Sequence, residues 1–187
     1  MSTEEELVLE QIMGLPTHIL LNHTVVVLVP LLAAAAACYA LFPVLRSPLR
    51  WLSMALAVVA PLSALLAKLS GDAFFRALQD FEPPRVGGEM VSRVQQHQQY
   101  GSILTWVSAG LGIATLLLVY VADRARRDAQ GGGGLKPGGG AGALIQSRGF
   151  STALTVVTLV LVVVSLVLIY LTGDSGARMV WGDILRD

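Results

Sequence analysis

The chain has 187 residues, of which 54% are hydrophobic and 14% charged, with a formal net charge of +0 at pH 7. A soluble domain averages about 25% charged residues, so this chain lacks the charge to cover a surface that faces water. The balanced charge gives no basic field for nucleic acid, and a single cysteine excludes an intrachain disulfide and a cage of cysteine ligands. A membrane protein is the class that remains.

Four segments are apolar enough to cross a bilayer, which takes about 20 mostly apolar residues in a helix. They cover about residues 18–42, 51–71, 98–122 and 150–172. The fourth is rich in valine, but its unbroken apolar length favours a helix because lipid offers backbone groups no partner outside their own segment. The sequence therefore predicts an all-α fold, a four-helix transmembrane bundle, with 1–187 as a single membrane domain.

The connection 129–143 is rich in glycine, which predicts a flexible linker between the third and fourth spans. The connections after the first and third spans hold 7 Lys and Arg in 35 residues, whereas the opposite side of the membrane holds 6 in 69. The positive-inside rule thus places the linker in the cytoplasm and both termini outside it.

Small residues recur at spacings of three and four along the second and third spans, a pattern that lets membrane helices approach closely. The second span carries Ser53, Ala57, Ala60, Ala64, Ala67 and Gly71, and the third carries Gly101, Thr105, Ser108, Gly112 and Thr115. We predict that the two helices pack through these stripes. The alternative is that alanine is simply common in membrane helices.

All three histidines of the chain are expected near one boundary of the membrane, together with one carboxylate. The first and third spans run in the same direction, and the second ends where they begin. His18, His23, Asp72 and His97 therefore lie near the same face, which is the extracytoplasmic one in the predicted orientation.

His23 and His97 form the preferred inner pair. His18 and His23 are separated by about 140° around a helix, so they do not share a face. His23 shares its stripe with small residues suited to the bundle interior, whereas His18 is expected nearer water. His97 is expected to face the end of the second span. The supporting positions are Asp72, Gly71 and Gly101, with His18 as a further binding residue.

Two imidazoles on two helices can ligate a haem iron, and small neighbouring residues would leave room for the flat ring. Imidazole also binds zinc or copper, often with a carboxylate that orients it, so the candidate metal ligands are His18, His23, Asp72 and His97. A purely structural role, as a hydrogen-bond partner of backbone carbonyls, is the alternative for each histidine. The spans contain no continuous series of ionisable groups, which argues against a proton or ion relay.

Four short segments resemble motifs of a widespread bacterial membrane family of unknown function. They are GLPTHILLNHTVVVLVPL, SGDAFFRAL, HQQYGSILTW and TGDSGARMVWGD, and the resemblance covers most of residues 14–182. Some members of that family are fused to Rieske iron–sulfur or c-type cytochrome domains. The resemblance therefore implies membrane electron transfer, with functional roles for His18, His23, Asp72, His97, Gly173 and Gly176.

Two functions from different classes fit these observations. The first is a small redox module of the bacterial inner membrane, which holds one b-type haem through His23 and His97 and passes electrons to a membrane partner. The second is a non-catalytic accessory or assembly subunit of a larger membrane complex, in which the histidines make structural hydrogen bonds. An enzyme with its own substrate is the least favoured, and no catalytic residues are assigned.

Overall fold

The computed structural model describes residues 11–12, 15–79, 88–130 and 147–181. Its four long helices are α1 (Thr17–Leu41), α2 (Arg46–Gln79), α3 (Glu89–Ala129) and α4 (Arg148–Trp181). A single 3₁₀ turn (Pro43–Leu45) joins α1 to α2, and the two-residue strands β1 (Gln11–Ile12) and β2 (Leu15–Pro16) pair antiparallel before α1. The predicted all-α four-helix bundle is confirmed, and the four helices are long and apolar enough to cross a membrane.

The helices extend beyond the predicted spans. α3 has 41 residues, which gives a length of about 60 Å, whereas the hydrocarbon core of a bilayer is about 30 Å thick. The second span was expected to end near residue 71 and the third to begin near residue 98, but α2 continues to Gln79 and α3 begins at Glu89. Of the predicted linker, Ala129 ends α3, Gln130 caps it, and 131–143 lie outside the described residues.

Each helix packs against two neighbours, in the ring order α1, α2, α3, α4 and back to α1. The short turn between α1 and α2 makes these two antiparallel, and the start of α3 lies beside the end of α4. We call the end of the bundle that holds His18 and His97 the histidine end. The opposite end, which holds Arg46, Arg50 and Asp123, is the arginine end.

Large apolar side chains fill the centre of the bundle and also cover its outside. Val29, Leu32 and Leu111 are fully buried in the main core cluster, where all four helices meet. Exposed valines, leucines and isoleucines run along every helix, among them Val26 on α1 and Val163 on α4. An apolar exterior of this extent matches lipid rather than water as the surrounding solvent.

The small-residue stripes of α2 and α3 do pack against each other, as predicted. The Thr105 hydroxyl on α3 donates a hydrogen bond to the Ala64 carbonyl on α2 at 3.3 Å. A Cβ added at Gly112 would overlap the carbonyl oxygen of Ala57. The contacting positions are buried: Ser53, Ala57, Ala60, Ala64, Thr105, Ser108, Gly112 and Thr115.

The stripes do not continue to the glycines at their ends. A Cβ at Gly101 would meet no atom within 4 Å, so this glycine makes no close helix contact. Gly71 makes a close contact, but with His18 of α1 rather than with α3. The close approach of α2 and α3 therefore ends near Thr105, and the space beyond it is available to side chains of the histidine end.

Candidate functional site

The first turn of α1 and the third turn of α3 bring two histidine rings together. The rings of His18 and His97 meet edge to face, with centroids 6.2 Å apart and an interplanar angle of 88°. The inner pair expected from the sequence was His23 with His97, so this expectation is corrected. The ring that faces His97 is that of His18.

Both ring nitrogens of His18 have partners. Its Nδ1–H donates to the Ala67 carbonyl at 2.9 Å, and its Nε2 accepts from the Asn22 amide nitrogen at 2.9 Å. A carbonyl oxygen can only accept, so the proton of the neutral ring lies on Nδ1. The ring is half-buried and joins α1 to α2, which corrects the expectation that His18 lies nearer water than His23.

A glycine on α2 makes room for this ring. A Cβ at Gly71 would lie 2.7 Å from Cε1 and 2.8 Å from Nδ1 of His18, closer than such atoms approach in proteins. Because Gly71 has no side chain, the imidazole can lie against the backbone of α2. Gly71 was expected to be a supporting residue of the site, and the ring it lies against is that of His18.

His97 is held by α4. Its Nδ1–H lies 3.1 Å from the Thr172 carbonyl oxygen and 3.0 Å from the Ser175 hydroxyl oxygen, and both can accept from it. A Cβ at Gly176 would lie 3.3 Å from Cε1 of His97, so the ring also lies close to the backbone of α4. The Nε2 atom of His97 has no hydrogen-bond partner within the described ranges. His97 was expected to face α2, but its ring is hydrogen-bonded to α4, the other neighbour of α3.

His23 lies on the exposed side of α1. Its Nδ1–H donates to the carbonyl of Ile19 one turn earlier, at 2.7 Å, and no described residue bonds its Nε2. The predicted inward stripe of His23 includes Val27 and Ala34, and both of these are exposed, whereas Val25 is buried. The face of α1 that carries His23 was expected to point into the bundle, but α1 is rotated so that the face with Val25 points there instead.

Asp72 joins two helices at the same end. It forms an ion pair with Lys68 at 2.6 Å and accepts from the Gln98 amide of α3 at 3.3 Å. Among the described residues it makes no hydrogen bond to a histidine. Asp72 thus forms a polar link between α2 and α3. It was expected to orient a histidine ring, but the rings of His18 and His97 are hydrogen-bonded to backbone carbonyls instead.

The three histidines, Asp72 and most of their partners line one cavity of about 550 Å³ between the four helices. His18, His23 and His97 lie on its wall, and the rest of the wall is mainly apolar, with Phe75 and Leu104 as examples. Binding sites for small molecules and cofactors commonly have about 300–1,000 Å³ and an apolar wall with a few polar groups. The cavity therefore has the size and chemistry of a ligand site.

The number of available histidine nitrogens decides which metal groups the cavity could hold. Within the described ranges, no three or more His, Cys, Asp or Glu side chains are placed to share a metal. The porphyrin supplies most of the ligands of a haem iron, so one or two histidines complete it. His23 and His97 line the cavity, and within the described ranges neither Nε2 atom has a hydrogen-bond partner.

Several partners at this site were absent from the sequence analysis. Asn22 follows His18 by four residues, a spacing that could have indicated its hydrogen bond. Ser175 and Gln98 also hold functional side chains, as described above. The carbonyls of Ala67 and Thr172 carry no sequence signal, because every residue has a carbonyl.

Comparison of the chain with protein-family models, with curated proteins and with solved structures found no match in any of the three. The resemblance to a bacterial membrane family therefore stays an expectation that depends on the short motifs alone.

Proposed function

We propose that this protein is an integral membrane haem carrier, with a b-type haem in the cavity at the histidine end and His97 and His23 as its axial ligands. The proposal rests on three features that His97 and His23 have in common. Each donates Nδ1–H to a backbone carbonyl, each has Nε2 without a described partner, and both line the same cavity.

This arrangement is the one that prepares an imidazole to bind a metal. A ligating histidine usually donates its other ring N–H to a carbonyl or carboxylate, which fixes the tautomer and leaves a lone pair on the ligating nitrogen. His18 does not meet this condition, because Asn22 and Ala67 occupy both of its nitrogens. Its proposed part is to pack its ring edge against His97 and restrict the rotation of that ring.

A bound haem would supply one-electron redox chemistry, and the chain would determine its surroundings. The Thr172 carbonyl and the Ser175 hydroxyl orient His97. Apolar side chains of the wall, such as Phe75 and Leu104, exclude water and keep the dielectric constant low. Ligand orientation and burial are two of the means by which proteins set the reduction potential of a haem.

The proposed location is the bacterial inner membrane, with the histidine end at the extracytoplasmic face. The support for this orientation is the higher density of Lys and Arg in the connections at the arginine end. The proposed electron acceptor or donor is a redox protein in or at the same membrane. The family resemblance supports such a partner, because some members of that family are fused to Rieske iron–sulfur or c-type cytochrome domains.

A visible spectrum of the protein tests the haem proposal. The protein is expressed with ample haem, purified in mild detergent, and measured air-oxidised and then reduced with dithionite. A Soret band that shifts on reduction is expected in the unchanged protein. We expect it to be lost in His97→Ala and weakened or shifted in His23→Ala, because a five-coordinate haem differs from a six-coordinate one.

His18→Ala is the matched control, since it removes a third histidine from the same wall. It removes no proposed ligand, so the Soret band should remain at its position, although the lost ring contact with His97 weakens haem binding and the lost hydrogen bonds lower the stability. Circular dichroism of every variant establishes that the bundle is folded. A featureless visible spectrum from fully recovered, folded protein would overturn the haem proposal.

A non-catalytic accessory subunit is the second candidate, and one observation favours it. Through its two hydrogen bonds, His18 holds the start of α1 against α2, which is a structural task. If all three histidines had only such a structural role, the three alanine variants would leave the visible spectrum unchanged. Each variant would then change only the stability of the protein.

A further inference from the structure

The arginine end contains a cluster of positive charge around one buried tyrosine. The Tyr39 side chain is only 1% exposed, and Arg46, Arg50, Arg126 and Asp123 are near enough to act on it electrostatically. Three guanidinium groups and one carboxylate leave a surplus of positive charge at this point. The four charged groups come from the starts and ends of two helices, α2 and α3.

The guanidinium groups differ in how far they are engaged. Arg46 donates to the carbonyls of Tyr39 and Ala40 at 3.0 and 3.3 Å, so it caps the end of α1. Arg50 forms an ion pair with Asp123 at 2.8 Å. The side chain of Arg126 has neither a hydrogen bond nor an ion pair with any described residue.

Unsatisfied donors concentrate at the same end. Six buried side-chain nitrogen or oxygen atoms of the described residues have no hydrogen-bond partner, and four of them belong here. Each of the four carries a hydrogen that it can donate: Tyr39 hydroxyl, Arg50 Nε, Ser53 hydroxyl and Arg124 Nε. Buried polar groups are nearly always satisfied, so this excess of donors calls for an acceptor beyond the described residues.

We propose that the Tyr39–Arg50–Arg126 cluster binds the phosphate group of an anionic phospholipid. A phosphate offers several acceptor oxygens and the negative charge that the cluster lacks. Basic pockets between membrane helices on the cytoplasmic side are known to bind lipid head groups in this way. The site is separate from the cavity at the histidine end and does not depend on a haem.

The surroundings favour a lipid as the source of the phosphate. Trp51 is 70% exposed, and the Arg50 guanidinium lies 5.1 Å from the centroid of its ring. Tryptophan is enriched at the level of the lipid head groups. Val44, in the turn beside it, is 81% exposed. A bound phosphate would therefore have apolar, lipid-facing side chains next to it, which suit acyl chains and not a free ion.

Native mass spectrometry and thermal unfolding of the full chain in nanodiscs test the proposal. The nanodiscs contain phosphatidylcholine alone, phosphatidylcholine mixed with phosphatidylglycerol, or phosphatidylcholine with inorganic phosphate in the buffer. We expect retained phosphatidylglycerol and a higher unfolding temperature in the mixed nanodiscs only. Equal stabilisation by inorganic phosphate would overturn the assignment to a lipid.

Arg126→Gln is the informative variant, because it removes a positive charge without leaving a carboxylate unpaired. It should weaken retention of phosphatidylglycerol about fivefold. Arg76→Gln is the matched control: an exposed arginine on α2 near the other end of the bundle, with no ion pair among the described residues. Equal loss of lipid in both variants would show a general charge effect and no site.

Tyr39→Phe separates a ligand site from an ordinary packing defect. If the hydroxyl donates to a phosphate, the variant retains less phosphatidylglycerol, by about fivefold. If the hydroxyl is merely unsatisfied, removing it raises stability and leaves lipid retention unchanged. The second result would overturn the proposal.

Discussion

His18 and His97 stand edge to face at 6.2 Å, although 79 positions separate them in the chain. One ring belongs to α1 and is hydrogen-bonded to α2, and the other belongs to α3 and is hydrogen-bonded to α4. The two residues thus tie all four helices together at one end of the bundle. A change to either ring is expected to affect the shape of the cavity beside them.

The close approach of Gly71 to His18 gives the first prediction. Gly71→Ala places a methyl group where the imidazole lies, so the ring must turn and its bond to the Ala67 carbonyl is lost. Overpacking of this kind costs about 1–3 kcal/mol of unfolding free energy. Equilibrium unfolding in detergent measures the change.

Gly101→Ala is the control for this substitution. A Cβ at Gly101 has open space around it, and alanine is the better helix former by about 1 kcal/mol. The control should leave the unfolding free energy unchanged or raise it. If Gly101→Ala were as destabilising as Gly71→Ala, the effect would come from the loss of glycine itself and not from the His18 ring.

The contact between α2 and α3 gives the second prediction. Gly112→Ala would force a methyl group into the carbonyl oxygen of Ala57, and a backbone carbonyl has no rotamer by which to move away. We expect a loss of about 3 kcal/mol of unfolding free energy, at the upper end for overpacking.

Gly110→Ala, two residues earlier, provides the comparison. The nearest atom to a Cβ there is Cδ2 of Leu161 at 3.8 Å, an ordinary van der Waals distance. The unfolding free energy of this variant should be the same as that of the unchanged protein or slightly higher. Similar losses of unfolding free energy in both variants would contradict a close contact between α2 and α3 at Gly112.

The number, type and approximate place of the helices could be predicted from the sequence because lipid leaves few choices. An apolar segment of sufficient length must satisfy its backbone internally, and a helix does so. The stripe from Ala57 to Ala64 on α2 and the stripe from Thr105 to Thr115 on α3 were also predictable, since small residues at a regular spacing indicate close packing.

The rotation of α1 could not be predicted in the same way. Valines and alanines occur all around this helix, and lipid accepts the large and the small ones equally, so hydrophobicity does not mark the inner face. The structure buries Val25 and Val29 and exposes Val27 and Ala34. This rotation places His18 against His97 and leaves His23 on the exposed side of α1, where it still lines the cavity.

The orientation of His97 gives a third prediction, which depends on the proposed haem. Ser175→Ala removes one of the two acceptors of its Nδ1–H. Substitutions of groups that orient a metal ligand typically weaken metal binding by about tenfold or more. Haem affinity, measured by transfer to apomyoglobin, should therefore fall about tenfold.

Ser165→Ala makes the same change two to three turns earlier on α4, at a buried hydroxyl that has no partner among the described residues. Its haem affinity should equal that of the unchanged protein. A Ser175→Ala protein with unaltered haem affinity would show that the serine does not orient an axial ligand.

The ion pair between Arg50 and Asp123 joins α2 to α3 at the arginine end, and it supports the last prediction. Its side chains are 34% and 16% exposed, and Asp123→Asn leaves the guanidinium with a neutral partner. We expect a loss of about 1.5–3 kcal/mol of unfolding free energy, the range for hydrogen bonds to charged groups.

Asp174→Asn tests whether this loss belongs to the contact between helices. Asp174 pairs with Arg178 within one turn of α4, and that arginine is 74% exposed. Exposed pairs of this spacing contribute about 0.3–0.5 kcal/mol. The single variant Arg50→Gln and the double variant Arg50→Gln/Asp123→Asn then give the coupling energy of the pair, which is the effect of the double variant minus the sum of the two single effects. A coupling energy near zero would mean that Arg50 and Asp123 act independently. The contact between α2 and α3 at the arginine end would then depend on the surplus positive charge there and not on this ion pair.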